Sequence, residues 1–191
     1  MLRHLLVSRV RIKLLGCFFG SPQKMFYGRQ LARKTGEQIN AVRRELKNLL
    51  LGGILKSEKR ANRIYFFLNR EHRFYAPLLA IFSQETGLGK KIIKNRHRLG
   101  KLRVVFFSQS FARGEKKEEN GVDILIVGRV ILPELAVLIK EEEERREREI
   151  NYTVMDEKEF LFRLHGRDPF LVDFLVKPRI VILGDEERLI K

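Results

Sequence analysis

The chain has 191 residues, enough for one or two small domains, and a hydrophobic share of 44% that can build real cores. No run reaches the roughly 18 apolar residues of a membrane span, and arginines interrupt the apolar N-terminus, which makes it a poor signal-peptide core. A single cysteine, Cys17, excludes an internal disulfide and a cysteine-clustered zinc site, so the expected location is cytoplasmic, with no membrane partner. Residues 1–100 hold 22 Lys and Arg against 5 Asp and Glu, while residues 101–191 hold 17 against 19. The excess positive charge therefore sits in the first half, and only that half is expected to meet a polyanion.

Residues 3–19 carry Leu6, Val10, Leu14 or Leu15, and Phe18 at helical spacing, closed by Gly20-Ser21-Pro22. Cys17 lies in the apolar run Leu14 to Phe19 and reads as a core residue. An extended piece, Lys24 to Tyr27, precedes a helix over 28–34, a turn at Thr35-Gly36-Glu37, and a helix from about Gln38 to Leu51 with Ile39, Val42, Leu46, Leu49 and Leu50 on one face. Gly52-Gly53 stops it. Strands over 54–58 and 63–68 flank the basic tip Lys59-Arg60-Ala61-Asn62, a hairpin. A helical stretch over 75–95 is interrupted at Gly87-Leu88-Gly89, which looks like a hinge. The basic segment 90–101 then joins the halves.

The second half alternates strands and helices: strands at 102–107, 123–127, 149–155 and 180–183, helices at 132–148, 156–164 and 169–176. This pattern predicts an α/β or α+β domain. The charged run 141–148 reads as a solvated helix end held by pairs three and four residues apart.

Leu31-Ala32, Gly36 and Ile39-Asn40-Ala41-Val42-Arg43-Arg44-Glu45-Leu46 meet the needs of a helix-turn-helix: a small residue where two helices cross, a glycine turn, and an apolar face that leaves Asn40, Arg44 and Lys47 outward with Gln38 and Arg43 at the edges. Such donors read base edges and hold phosphates. Lys59, Arg60 and Arg63 on the hairpin suit phosphate or minor-groove contact. The segment from Leu5 to Asn69 resembles a winged helix of the arsenical-repressor-like superfamily, on Leu31-Ala32 with Gly36, Asn40 to Leu46, and Gly53-Ile54-Leu55. The resemblance implies binding of double-stranded DNA and a homodimer, through the first helix and residues 75–95. Leu78, Leu79, Ile81 and Phe82 form either that seam or an internal core. No metal-sensing cysteine pair or histidine cluster is present.

Val104 to Glu115, with Ser108-Gln109-Ser110 and Ala112-Arg113-Gly114-Glu115, followed by Gly121-Val122-Asp123-Ile124-Leu125, resembles the minimal nucleotidyltransferase family, and the resemblance extends to the chain end. It implies a small mixed sheet, with Ser108, Ser110, Arg113 and Glu115 toward a nucleotide and Asp123 toward Mg2+. In that family, carboxylates at alternate strand positions hold metal that bridges the phosphates of a nucleoside triphosphate. The chain departs from the pattern: Gln109 replaces the turn glycine, Gly121 replaces the first aspartate, and Asn151 stands at the third carboxylate, with Glu149 two residues away. Glu118 or Glu119 offers a loop substitute. Arg113-Gly114-Glu115 alternatively stabilises the turn by an ion pair, and Asp123 alternatively pairs with a base such as Arg113. His4, His72, His97 and His165 are scattered without metal-ligand spacing, and no Gly-Lys-Ser/Thr or Gly-x-Gly-x-x-Gly motif serves as a phosphate loop.

The predicted fold class is therefore α+β with two domains. Residues 1–73 form a winged helix-turn-helix, 74–100 a connecting or dimerisation helix with a basic linker, and 101–191 a nucleotidyltransferase-like domain. Three functions follow as expectations: a DNA-binding transcriptional regulator whose second domain senses a nucleotide or protein partner, an active nucleotidyltransferase, or an antitoxin-like module of a toxin-antitoxin pair.

Overall fold

In the computed structural model, residue 2, residues 7–115 and residues 121–190 are described, residue 190 by its backbone alone. The predicted helix over 3–19 is seen as α1 (Arg9–Phe19); residues 3–6 of that prediction, like His4, Glu118 and Glu119, lie outside the described residues. Ser8 starts the helix, its Oγ accepting a hydrogen bond from Arg11 N at 3.2 Å and so satisfying one orphan amide. The fold is α+β, with two small sheets, and the chain divides into two compact units, Met1–Phe82 and Ser83–Lys191.

In the first unit, β1 (Phe26–Tyr27) leads into α2 (Gly28–Thr35), a turn, and α3 (Ile39–Leu51). Gly36 ends α2 with φ 67, the left-handed conformation that a helix stop favours and that a Cβ would strain. β2 (Leu55–Arg60) and β3 (Arg63–Leu68) pair antiparallel from Leu55–Leu68 to Arg60–Arg63, and β1 joins β3 through Phe26–Phe66, giving the order β1-β3-β2. β2 runs two residues further toward the tip than the sequence predicts, while β3 begins where expected, so the turn is two residues, Ala61-Asn62, with Ala61 at φ 49. Val42, Leu46 and Leu49 of α3 pack inward with Leu14, Phe18 and Leu31. Glu45 is buried on the same face. Its Oε1 accepts from Ser8 Oγ and its Oε2 from Arg11 Nε, both at 2.8 Å. Burial pushes this carboxyl up, but the hydrogen bonds from Ser8 and Arg11 outweigh it and hold it below the ordinary carboxylate range. Lys13 Nζ reaches Thr35 O at 2.8 Å and Glu37 Oε1 at 2.6 Å, which pins α1 to the turn between α2 and α3.

α4 (Tyr75–Glu85) buries Tyr75, Leu79 and Phe82, and Phe82 stacks on Phe19 with ring centres 5.2 Å apart. Of the four apolar residues that could have formed a dimer seam, Leu79 and Phe82 are therefore internal core, while Ile81 is exposed. The helical stretch breaks at Thr86, and the Gly87-Leu88-Gly89 segment, expected as a hinge, opens α5 (Gly87–Lys94). Leu88, Ile92 and Leu99 are buried, so most of the basic segment 90–101 is built into the second unit.

That unit continues with β4 (Gly100–Ser108), α6 (Gln109–Arg113), β5 (Ile124–Val130), α7 (Leu132–Arg146), β6 (Tyr152–Met155), α8 (Glu157–His165), α9 (Pro169–Val176), β7 (Arg179–Leu183) and α10 (Glu187–Ile190). The sheet order is β6-β5-β4-β7. β5 and β6 are parallel, as the intervening α7 requires, and the other pairs are antiparallel. Val104, Phe106, Leu125 and Val127 meet Phe160, Leu171 and Phe174 in one core. The alternating Val105 and Phe107 point to the opposite face, where Phe107 packs edge-on against Phe111 at 5.0 Å. α7 buries Leu135, Ile139 and Glu142, a helical stripe whose last member is a carboxylate. The charged run 141–148, expected to be solvated, thus sends Glu142 fully inward. Its Oε1 accepts from Arg146 Nε at 2.8 Å and its Oε2 from Arg145 Nε at 2.9 Å. Burial raises the Glu142 carboxyl, but these two guanidinium groups prevail and hold it low.

Candidate nucleic-acid interface and ligand cleft

The exposed arc of α3 carries Asn40, Arg43, Arg44 and Lys47, because the buried stripe Val42, Leu46 and Leu49 takes the opposite side. Beside this arc runs a groove of about 1040 Å³ between α2, α3 and β3. Its lining includes Arg29, Arg33, Arg43, Lys47 and Arg63, and no carboxylate. Arg43, Lys47 and Arg63 were expected from the sequence; Arg29 and Arg33 were not. Their signal was available, since an exposed Arg at i and i+4 on α2 marks one face, but only the pairing of β1 with β3 brings that face beside Arg63. Tyr27 organises this side of the groove. Its hydroxyl oxygen accepts from Arg33 Nη2 at 3.0 Å, and the Arg63 guanidinium lies 4.7 Å from its ring centre. Gln38, Asn40 and Arg44 are exposed outside the groove lining. Lys59 is exposed near the hairpin tip. Arg60 is bonded twice to Glu58, at 2.9 and 3.1 Å, which offsets its charge toward a phosphate.

At one end of the second sheet is a cleft of about 240 Å³. It gathers Ser108, Ser110, Arg113, Glu115 and Asp123, all expected, with Lys177, Asp173 and Phe170 from α9 and the loop after it. Ser108 caps α6, its Oγ accepting from Phe111 N at 3.2 Å and lying 3.1 Å from Ser110 Oγ. Arg113 and Glu115 approach to 3.8 Å as an ion pair. Asp123 immediately precedes β5, is almost wholly buried, and is already engaged. Its Oδ1 accepts from Arg148 Nη2 at 2.8 Å and its Oδ2 from Asn151 N at 3.1 Å. The partner base is thus Arg148, from 25 residues downstream, in place of the expected Arg113. Asn151 also donates through Nδ2 to Gly121 O at 3.2 Å, so it ties the two strand heads together.

Glu149 is exposed and lies outside the cleft lining; β6 begins only at Tyr152, so the strand alternation that would have aimed Glu149 beside Asp123 is not in force there. Among the described residues, no group of three His, Cys, Asp or Glu side chains is arranged to hold a metal ion. A divalent ion at Asp123 would have to displace a guanidinium. The cleft combines the hydroxyls of Ser108 and Ser110 with two cations and three carboxylates, and each cation faces a carboxylate, Arg113 with Glu115 and Lys177 with Asp173 at 3.0 Å. Cys17 is half-buried; burial pushes its thiol up, against the opposing charge of nearby Lys34. No helix among the described residues is long and apolar enough to cross a membrane.

Comparison with family models, with curated proteins and with solved structures finds no match for the chain.

Proposed function

We propose that this chain is a cytoplasmic transcriptional regulator that binds double-stranded DNA through a winged helix-turn-helix, residues 1–73, as a homodimer. The second unit is a nucleotidyltransferase-like module that binds a nucleotide or a protein partner without transferring a nucleotidyl group. The observation that carries the DNA reading is the groove beside α3, where Arg29, Arg33, Arg43, Lys47 and Arg63 converge without a carboxylate. The order helix, strand, helix, helix, hairpin supports it: α3 presents donors to a major groove while the hairpin flanks it. Binding without turnover is supported by the engagement of Asp123 with Arg148 and by the exposure of Glu149.

The test is a titration of duplex DNA from the chain's own upstream region, with a scrambled control, across a salt series. Arg43→Gln with Lys47→Gln is expected to weaken binding and to reduce the slope of log K against log salt by about 2, at roughly 0.9 for each phosphate no longer neutralised. Unchanged affinity and slope would remove the DNA reading. For the second unit, equilibrium dialysis with a labelled nucleoside triphosphate is expected to show binding that Arg113→Gln weakens, with no nucleotide transfer in the presence of Mg2+.

A further inference from the structure

The second unit is nearly balanced in charge, with 22 Lys and Arg against 20 Asp and Glu over residues 83–191. Linear sequence therefore gives it no polyanion role. Folding separates the signs. Acidic residues concentrate on α7, whereas the opposite end of the sheet from the Asp123 cleft opens into a groove of about 1030 Å³. The start of β4, the ends of β5 and β7 and the start of α8 frame it. Four residues of β4, Val104 to Phe107, lie between this groove and Ser108, which puts Ser108 about 17 Å along the strand from Arg103.

Arg96, His97, Lys101, Arg103, Arg129 and Lys158 line it. The lining also contains two carboxylates, and both are committed. Asp156 Oδ1 caps α8 by accepting from Glu159 N at 2.8 Å, and Glu157 Oε2 accepts from Arg103 Nε at 2.9 Å. Among the described residues, Arg96, Lys101, Arg129 and Lys158 form no ion pair. Five Lys and Arg against two carboxylates leave an excess of three positive charges in one concavity, and this raises the local positive potential, which is what a phosphate backbone neutralises. Gly184, also in the lining, brings its main chain so close to β4 that a Cβ there would lie 2.0 Å from Arg103 O. No Phe, Tyr or Trp lines the groove, so it lacks the large stacking platform of a single-strand site.

We propose that this groove is a second binding site for the phosphate backbone of duplex DNA, independent of the α3 groove and without base selectivity. The proposal rests on the reading that the chain binds duplex DNA. Its test uses the full chain in four forms: unaltered, Lys101→Gln/Arg103→Gln/Arg129→Gln, Arg43→Gln/Lys47→Gln, and all five together. Each is titrated with a duplex of about 30 base pairs and with one of its single strands, over roughly 50–200 mM salt. The triple variant is expected to reduce the salt slope by about 2 to 3 and to weaken scrambled and upstream duplex equally. The five-fold variant is expected to lose more than either parent.

Identical affinity and slope for the triple variant and the unaltered chain would overturn the proposal. So would a loss confined to the single strand. If the triple variant loses binding while Arg43→Gln/Lys47→Gln does not, this site stands and the α3 reading falls. If the unaltered chain binds no duplex at the lowest salt, both fall. Arg96→Gln with Lys158→Gln, exposed and outside the strands, provides the same test with β4 intact, should the triple variant fail to fold.

Discussion

Replacing Asp123 by Asn tests whether the carboxylate at the head of β5 is a structural tie or a metal ligand. The side chain is 5% exposed and accepts from Arg148 Nη2 at 2.8 Å and Asn151 N at 3.1 Å. Removing one partner of a buried ion pair costs about 3–5 kcal/mol. Two features lower that figure here. Arg148 keeps 22% of its side chain exposed, so water partly solvates the abandoned guanidinium, and an amide oxygen can still accept from Asn151 N. A loss of about 2 kcal/mol is therefore expected, or a fall in melting temperature of roughly 8 °C for a unit of this size. The assay is calorimetric and urea unfolding of the full chain, with Arg148→Gln and the double variant completing a cycle. Because the two units can melt separately, the transition of the unit that holds Asp123 is the one compared. A coupling of about 1 kcal/mol or more between Asp123 and Arg148 is expected, with no stabilisation by millimolar Mg2+. Additive losses, together with a Mg2+-dependent rise in melting temperature that Asp123→Asn abolishes, would refute the reasoning and restore the metal site.

Two further outcomes bear on stability. Glu142 is held below the ordinary carboxylate range in the fold, so the unfolded chain binds the proton more readily; the stabilisation is full above about pH 4.3 and is lost as pH falls through the lower folded value. Urea midpoints from pH 3 to 7 should show this acid limb, and Glu142→Gln should lower the neutral plateau and flatten the limb; an unchanged pH profile would contradict it. At the hairpin tip, Ala61 sits at φ 49, where a Cβ is unfavourable, so Ala61→Gly should raise stability by about 0.5 kcal/mol despite the entropy it adds to the unfolded chain. A lower urea midpoint for that variant would show that the turn tolerates alanine at no cost.

Periodicity and stop signals determined the helices α3 and α9, the strand β3 and the C-terminal end of α1 nearly to the residue, because those signals act within one or two turns of chain. The α+β class and the gathering of Ser108, Ser110, Arg113, Glu115 and Asp123 around one cleft were also legible, since a strand, a capped turn and a second strand follow one another closely. Glu142 was not: a carboxylate in a run of charges reads as solvated, and only the packing of α7 shows that it continues the stripe of Leu135 and Ile139. Charge clustering was equally hidden. Arg29 and Arg33 join Arg63 through the register of β1 on β3, and Lys101, Arg103 and Arg129 meet because β4 and β5 run antiparallel. Sequence reports the sum of charges in a segment, whereas the potential that a ligand meets depends on which side chains share a face, and strand pairing across long loops decides that.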